Sequence, residues 1–227
     1  MNMKKYLLNL SALLIAVFFF SGAGEMVNAP AAVVTKVVNN AEYKASSGKW
    51  TALKVGQALS SEDMVKTSGK SLVVIKFTDN SVLKVRENSQ VKISTLKKDK
   101  NVSKTVDVDK GAVNASVTKQ DQQDFKFKSP TLVASVRGTW LLFGVGQDTT
   151  NVDLTEGRLF CEAQLGKQES GDLNENQTVT VTPDGSFSPR EMTEQDKKRF
   201  DNSNRANVKK IILKTSQGDI VIEYLEN

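Results

Sequence analysis

Between residues 31 and 182, apolar positions recur in short runs, many of them with a period of two, and polar turn residues interrupt them. Ser71-Leu-Val-Val-Ile-Lys-Phe77 leads into the turn signal Thr78-Asp-Asn-Ser81. Val82-Leu-Lys-Val-Arg86 alternates, Glu87-Asn-Ser-Gln90 makes a second turn, and Val91-Lys-Ile-Ser-Thr95 alternates again. Side chains of a strand point to opposite faces in turn, so these runs predict strands about nine residues apart, as in a sandwich, roll or barrel. Lys97-Lys98-Asp99-Lys100-Asn101 reads as a polar hairpin tip that also protects a sheet edge, with contact to an anionic ligand as the sharper alternative. Further strands are predicted at Thr105–Asp109, Ala112–Thr118, Asp124–Lys128, Leu132–Val136, Trp140–Val145, Thr150–Leu154, Arg158–Gln164 and Gln177–Thr182. Leu165–Glu175 reads as a loop, and Pro183-Asp-Gly185 as a turn. The fold class expected is all-β, a sandwich or roll of short, mostly antiparallel strands.

The two ends differ from this middle. Lys4 and Lys5 precede an apolar run from Tyr6 to Phe20, and small residues follow in Ser21-Gly-Ala-Gly24. That order matches a secretory signal peptide, too short in its apolar part for a typical membrane span. Cleavage is expected after Ala23, with Ala29 as a poorer site beside Pro30; an uncleaved N-terminal anchor is the competing reading. No cysteine stands directly after the apolar run, so lipid anchoring is not expected. At the other end Thr193-Glu-Gln-Asp-Lys-Lys-Arg-Phe200 starts on an N-capping threonine and carries acids before bases, which predicts a short helix. Asn202–Asn207 reads as linker, and Val208–Thr215 with Asp219–Tyr224 as a hairpin turning at Ser216-Gln-Gly218. The organisation expected is a signal peptide at 1–29, a β-domain at 31–187, a helix and linker at 188–207, and a hairpin at 208–227.

Composition narrows the chemistry. The chain has no histidine, one cysteine and a formal net charge of +5. Without histidine, Ser-His and Cys-His nucleophilic sites are out of reach, as are the usual zinc and facial-triad iron sites. The positive excess favours anionic surfaces and falls far short of a nucleic-acid-binding stripe. Cys161, in a strand-like run, reads as a small buried hydrophobe, against an intermolecular disulfide or a reactive thiol. Asp153 and Glu156 are a conceivable glycosidase-like pair, but residues three apart in a strand point to opposite faces, so they read as solvated charges. Asp107 and Asp109 share a face and could hold calcium only with a third ligand. No metal, cofactor or catalytic residue is expected, and no ligand-binding residue is assigned.

Motifs in register over 55–187 sharpen the picture. They are Gly56-Gln-Ala-Leu-Ser-Ser-Glu-Asp-Met-Val-Lys-Thr67, Thr78-Asp79-Asn80-Ser81, Glu87-Asn-Ser89, Lys110-Gly111, Ser129-Pro130-Thr131, Val136-Arg137-Gly138-Thr139 and Leu154-Thr-Glu156-Gly157. In this order they resemble the FecR domain of bacterial envelope proteins, with Asn80 where that family usually has glycine. Asparagine is the non-glycine residue that best tolerates a left-handed turn, and Gly111, Gly138 and Gly157 stand at strand starts where a bulge or a close approach calls for glycine. Arg137, between two apolar runs, is expected to be half-buried and to donate to strand-end carbonyls or to Glu156, with a ligand-binding arginine as the alternative. The founding members relay a signal from an outer-membrane receptor to a cytoplasmic sigma factor. Only five residues precede the apolar run here, so that relay is not expected of this chain.

The resemblance implies a non-catalytic periplasmic or cell-surface domain that binds or scaffolds an envelope protein, or a cell-wall or acidic polysaccharide. It implies no nucleic-acid partner, and a membrane contact only if the signal stays uncleaved. An envelope-sensing regulator of the anti-sigma type, acting through a partner, is the alternative. The hairpin run Ile212-Leu-Lys-Thr-Ser-Gln-Gly-Asp-Ile-Val-Ile-Glu223 also resembles the opening of cyclophilin-type peptidyl-prolyl isomerases. It reads either as an ordinary hairpin paired with the β-domain or as the start of a truncated fusion, and isomerase activity is not expected of it.

Overall fold

The computed structural model describes residues 30–98, 101–119, 123–204, 208–215 and 218–225. The signal-peptide reading, the tip at Asp99 and Lys100, and the hairpin turn at Ser216 and Gln217 lie outside them. The strands are β1 (Ala32–Val38), β2 (Ala41–Lys44), β3 (Thr51–Ala52), β4 (Ala58–Leu59), β5 (Asp63–Thr67), β6 (Leu72–Phe77), β7 (Val82–Val85), β8 (Gln90–Lys98) and β9 (Asn101–Val117). They continue with β10 (Gln123–Lys128), β11 (Leu132–Val136), β12 (Thr139–Val145), β13 (Thr150–Glu156), β14 (Arg158–Ala163), β15 (Ser170–Asn174), β16 (Gln177–Val181) and β17 (Arg190–Glu191). Helix α1 (Glu194–Asn204) follows, then the hairpin β18 (Val208–Thr215) and β19 (Gly218–Leu225). The all-β class is as the alternation predicts.

Two layers share one long strand. Sheet A runs β4-β1-β6-β7-β9-β12-β13-β16-β17 and sheet B runs β3-β2-β5-β8-β9-β10-β11-β14-β15. Residues 101–110 of β9 pair with β8, and residues 111–117 pair with β12 and β7. Every pairing is antiparallel except β9 with β10. The sequence divided β9 in two at Lys110-Gly111; the structure shows one strand that bends there and passes from layer to layer. Gly111 makes the bend possible. Its φ is +85°, and a Cβ would lie 2.3 Å from Ser89 Oγ. A register shift between Gln90 and Val91 places a bulge at the same spot.

The inward faces meet in one core. Val65, Val91, Ile93, Val106 and Val108 from sheet B face Leu83, Val85, Val113, Leu141, Phe143, Val152 and Leu154 from sheet A. A row of rings, Phe77–Phe125–Phe127–Phe143, crosses between the layers with centroids 5.1, 5.3 and 5.7 Å apart. Burying such rings stabilises the fold through the apolar area removed from water, with edge-to-face and offset pairing adding to it.

Several expectations need correction. β15 forms where a loop was expected; with Leu173 its one large apolar residue, its strand state comes from pairing with β14. Lys97, Lys98 and Asn101 lie in β8 and β9, so these strands run further than the alternation shows. The helix extends through Asn204, into the segment read as linker. The C-terminal hairpin pairs only with itself among the described residues, a separate two-stranded sheet, so the reading that it pairs with the β-domain does not hold.

Candidate binding cleft

The motif residues build turns and crossings. Asp79 Oδ1 accepts from the backbone N–H of Ser81 at 2.9 Å, and Asn80 has φ +68°. The other carboxylate oxygen, Oδ2, meets the Nζ of Lys104 at 2.6 Å, and both side chains are almost wholly buried. Ser81 Oγ accepts from Thr118 N. Near the β9 bend, Ser89 Oγ donates to the Ala112 carbonyl and accepts from the Ala112 N–H, which fixes the bulge. Ser129 and Thr131 form a buried hydroxyl cluster with Thr150, both contacts 2.6 Å, while Pro130 between them stays exposed.

The two later glycines pack on one another. Gly138 has φ +64° and Gly157 +89°, and a Cβ on Gly157 would lie 2.4 Å from the Gly138 carbonyl oxygen. A close approach therefore demands glycine here, as read. Thr139, next in line, has a buried hydroxyl without a hydrogen-bond partner. Arg137 is exposed rather than half-buried, because the tight turn to Gly138 carries its side chain out of both sheets; Glu156 is exposed as well.

Asp153 corrects the reading of solvated acids. It and Glu156 do fall on different sides, but Asp153 is fully buried, on the outer face of sheet A beneath α1. Arg199 of the helix grips it with Nε at 2.8 Å and Nη2 at 2.6 Å, and Thr178 Oγ1 donates to it at 2.6 Å. Arg199 also meets Asp196 at 2.9 Å, and Asp196 meets Arg190 at 2.6 Å. Thr193 caps the helix reciprocally: its N–H and hydroxyl donate to Asp196 Oδ2, and the Asp196 N–H donates back to Thr193 Oγ1. The Arg190 hydrogen bond, with help from Thr193, holds the Asp196 carboxyl well below the usual carboxylate range. Beneath the helix Phe200 meets Trp140 edge-on at 5.5 Å and packs with Leu142 and Met192. At the far end Lys84 Nζ donates to the Asn204 carbonyl at 2.9 Å and to its Oδ1 at 2.6 Å, a cation capping orphan helix acceptors.

A cleft of about 570 Å³ lies beside this helix on sheet A. Arg86, Ala112, Leu142, Gly144, Asn151, Thr180, Arg199 and Asn202 contribute to it. Arg86 stands out. Its Nη1 is sealed from solvent and has no hydrogen-bond partner, and burial pulls the guanidinium below its ordinary pKa, with exposed Glu87 opposing. Lys84, two residues earlier on the same face, is also lowered, first by burial and then by the Arg86 charge. Glu87 is the carboxylate in the lining, and it accepts from the Lys70 N–H. Glycosidase-type hydrolysis uses a pair of carboxyl groups, and Glu87 is the exposed carboxylate in this lining.

A second, smaller cleft of about 410 Å³ on sheet B brings Asp107 and Asp109 together with Met64, Lys92, Lys128 and Pro130. Asp107 lies 3.7 Å from Lys92, and Asp109 accepts from Gln90 Nε2 at 3.0 Å. Among the described residues no three acidic, cysteine or histidine side chains gather as a metal site would require. Cys161 is buried in the core, its thiol pushed up to about 12 by desolvation, with the Asp172 charge adding to it. That agrees with the small-hydrophobe reading.

Fold and cleft together define a two-layered all-β domain with a helix clasped to one outer face and a cation-bearing cleft at its side. Residues 63–160 match the family described as FecR protein. The chain thus carries a FecR-like segment, inside the stretch whose motifs suggested it. Two crystal structures of a candidate anti-sigma factor from Parabacteroides distasonis share the fold, each with a TM-score of 0.52. They are 11% and 12% identical and align over 67% of this chain and 68% of theirs. No curated protein sequence matches the chain.

Proposed function

We propose that this chain is a non-catalytic binding or scaffolding module of the bacterial envelope, and that its partner lies against the cleft between sheet A and α1. The observation that carries the reading is the contrast between motif and cleft. Most FecR-like motif residues build turns, bulges and core, with Pro130, Arg137 and Glu156 exposed, whereas Arg86 lines an open cleft and has one sealed N–H without a hydrogen-bond partner. The signal-like segment at 1–29 supports export, and among the described residues no helix is long and apolar enough to cross a membrane. Purified protein incubated with peptidoglycan, with acidic polysaccharide and with envelope extract is expected to be retained by one of them without releasing hydrolysis products. Product release without retention contradicts the reading. A second reading, a regulator of the anti-sigma type working through a partner, draws on the assignment printed for the structural neighbours. It predicts retention by an envelope protein and by neither polymer.

A further inference from the structure

Resting on that reading of the chain as a binding module, we propose that the cleft takes a carboxylate-bearing saccharide, with Arg86 as the anion anchor and Gly144 as the floor that admits the sugar ring.

Two independent features point there. The first is charge. Lys84 and Arg86 sit on the same outer face of β7 and its extension, both partly desolvated. Lys84 is engaged by neutral acceptors of Asn204, and Arg199 across the cleft is already matched by Asp153 and Asp196. Arg86 alone of these three has an N–H sealed from solvent and without a partner. Arg86 also lines the cleft, so the guanidinium whose sealed Nη1 lacks an internal partner presents the rest of its partly desolvated side chain to an arriving carboxylate.

The second feature is shape. Gly144 lies inside β12, between Phe143 and Val145, whose side chains enter the core. Its φ is not positive, and a Cβ there would meet nothing nearer than the Asn151 carbonyl oxygen at 3.9 Å. Neither backbone conformation nor crowding requires glycine, and glycine weakens a strand interior. What its missing side chain does is leave the cleft floor flat. Ala112 and Leu142 extend that floor as an apolar surface, and Asn151, Thr180 and Asn202 line the cleft with amide and hydroxyl groups. An apolar floor edged by hydrogen-bonding groups, the exposed Glu87 and the cations Arg86 and Arg199, of which Arg199 is already matched, suits a uronic-acid ring, with its apolar face, its hydroxyls and its carboxylate.

The test uses the full chain and trigalacturonate, followed by calorimetry or amide chemical shifts. Saturable binding is expected, with neutral trigalactose binding at least about tenfold more weakly, the scale of one charge-assisted contact. Arg86→Gln should weaken trigalacturonate binding by about tenfold or more. Gly144→Leu should abolish it by filling the floor. Both variants should melt within a few degrees of the parent, which separates lost binding from lost folding, and Lys44→Ala, on sheet B, should bind as the parent does. Absence of saturable binding overturns the proposal, as does parental affinity in both Arg86→Gln and Gly144→Leu. Tighter binding of triglutamate than of trigalacturonate overturns the saccharide assignment. If envelope material retains the parent and Arg86→Gln equally, the module reading stands and the anchor falls; if nothing retains the parent, the module reading itself falls.

Discussion

The sandwich and the C-terminal hairpin are written in the same alphabet, yet they end in opposite environments. β6, Leu72-Val-Val-Ile-Lys-Phe77, and β18, Val208-Lys-Lys-Ile-Ile-Leu-Lys-Thr215, are both short, rich in β-branched residues and punctuated by lysine. Ile75 of β6 is fully buried, whereas Ile212 of β18 is 56% exposed and Val221 of β19 is 51% exposed. β6 has strands on both sides and a second sheet against its face; among the described residues the strands of the hairpin pair only with each other. An apolar run thus specifies a strand, and only the layer stacked on it decides whether that strand contributes to stability. A lone two-stranded hairpin is marginal in water.

The comparison can be broken most severely from inside the sandwich. Asp79→Ala removes the ion-pair carboxylate of a buried lysine and should cost about 3–5 kcal/mol in urea unfolding. Asp79→Ala combined with Lys104→Met should recover much of that loss, because the charge goes with its partner. Phe200→Ala is expected to cost about 3 kcal/mol, in the range of buried aromatic truncations, and to loosen α1 from Trp140.

Acid should loosen the same helix. The folded pKa of Asp196 is depressed relative to its unfolded value near about 3.9. Its contribution is therefore fully present above about pH 4 and is lost as pH falls through the folded value. Fluorescence of Trp140 in a Trp50→Phe background should hold steady from pH 7 to about 4 and change below it. A change centred near pH 6 would contradict the assignment to Asp196. Thr193→Ala, which removes one side of the reciprocal cap, should cost about 1 kcal/mol. At the low end, Ile212→Thr in the hairpin should shift unfolding of the sandwich by no more than about 0.5 kcal/mol. A larger effect would mean that the hairpin supports the sandwich after all.

How far the sequence reached follows from which forces act locally. Asp79-Asn80-Ser81 was legible because turn chemistry is carried by adjacent residues, and Gly138 and Gly157 were legible because a close approach leaves only glycine. Gly111 was read as a strand start and proved to be a bend within a strand; a glycine marks the irregularity without saying whether the strand continues beyond it. β2, β3, β4 and β17 are too short or too polar to show a period and exist through their partners. The candidate cleft was the least legible part. Lys104 looks like any exposed lysine until its place two before Val106 and four before Val108, on their face, is noticed. Asp153 looks solvated until a helix 46 residues away covers it. Arg86 ends an alternating run, and nothing near it in sequence shows that its Nη1 goes unpartnered. Gly144 was the one available signal, a glycine inside an apolar strand two residues before the turn at Gly146.

The most direct measurement is a two-dimensional amide spectrum of the full chain titrated with trigalacturonate, with reducing ends assayed in the same sample. Saturable shifts confined to Arg86, Ala112, Gly144, Asn151 and Thr180, with no reducing ends released, are the expected result. Shifts on sheet B instead, no shifts at all, or a steady release of reducing ends would contradict a non-catalytic module that binds through this cleft.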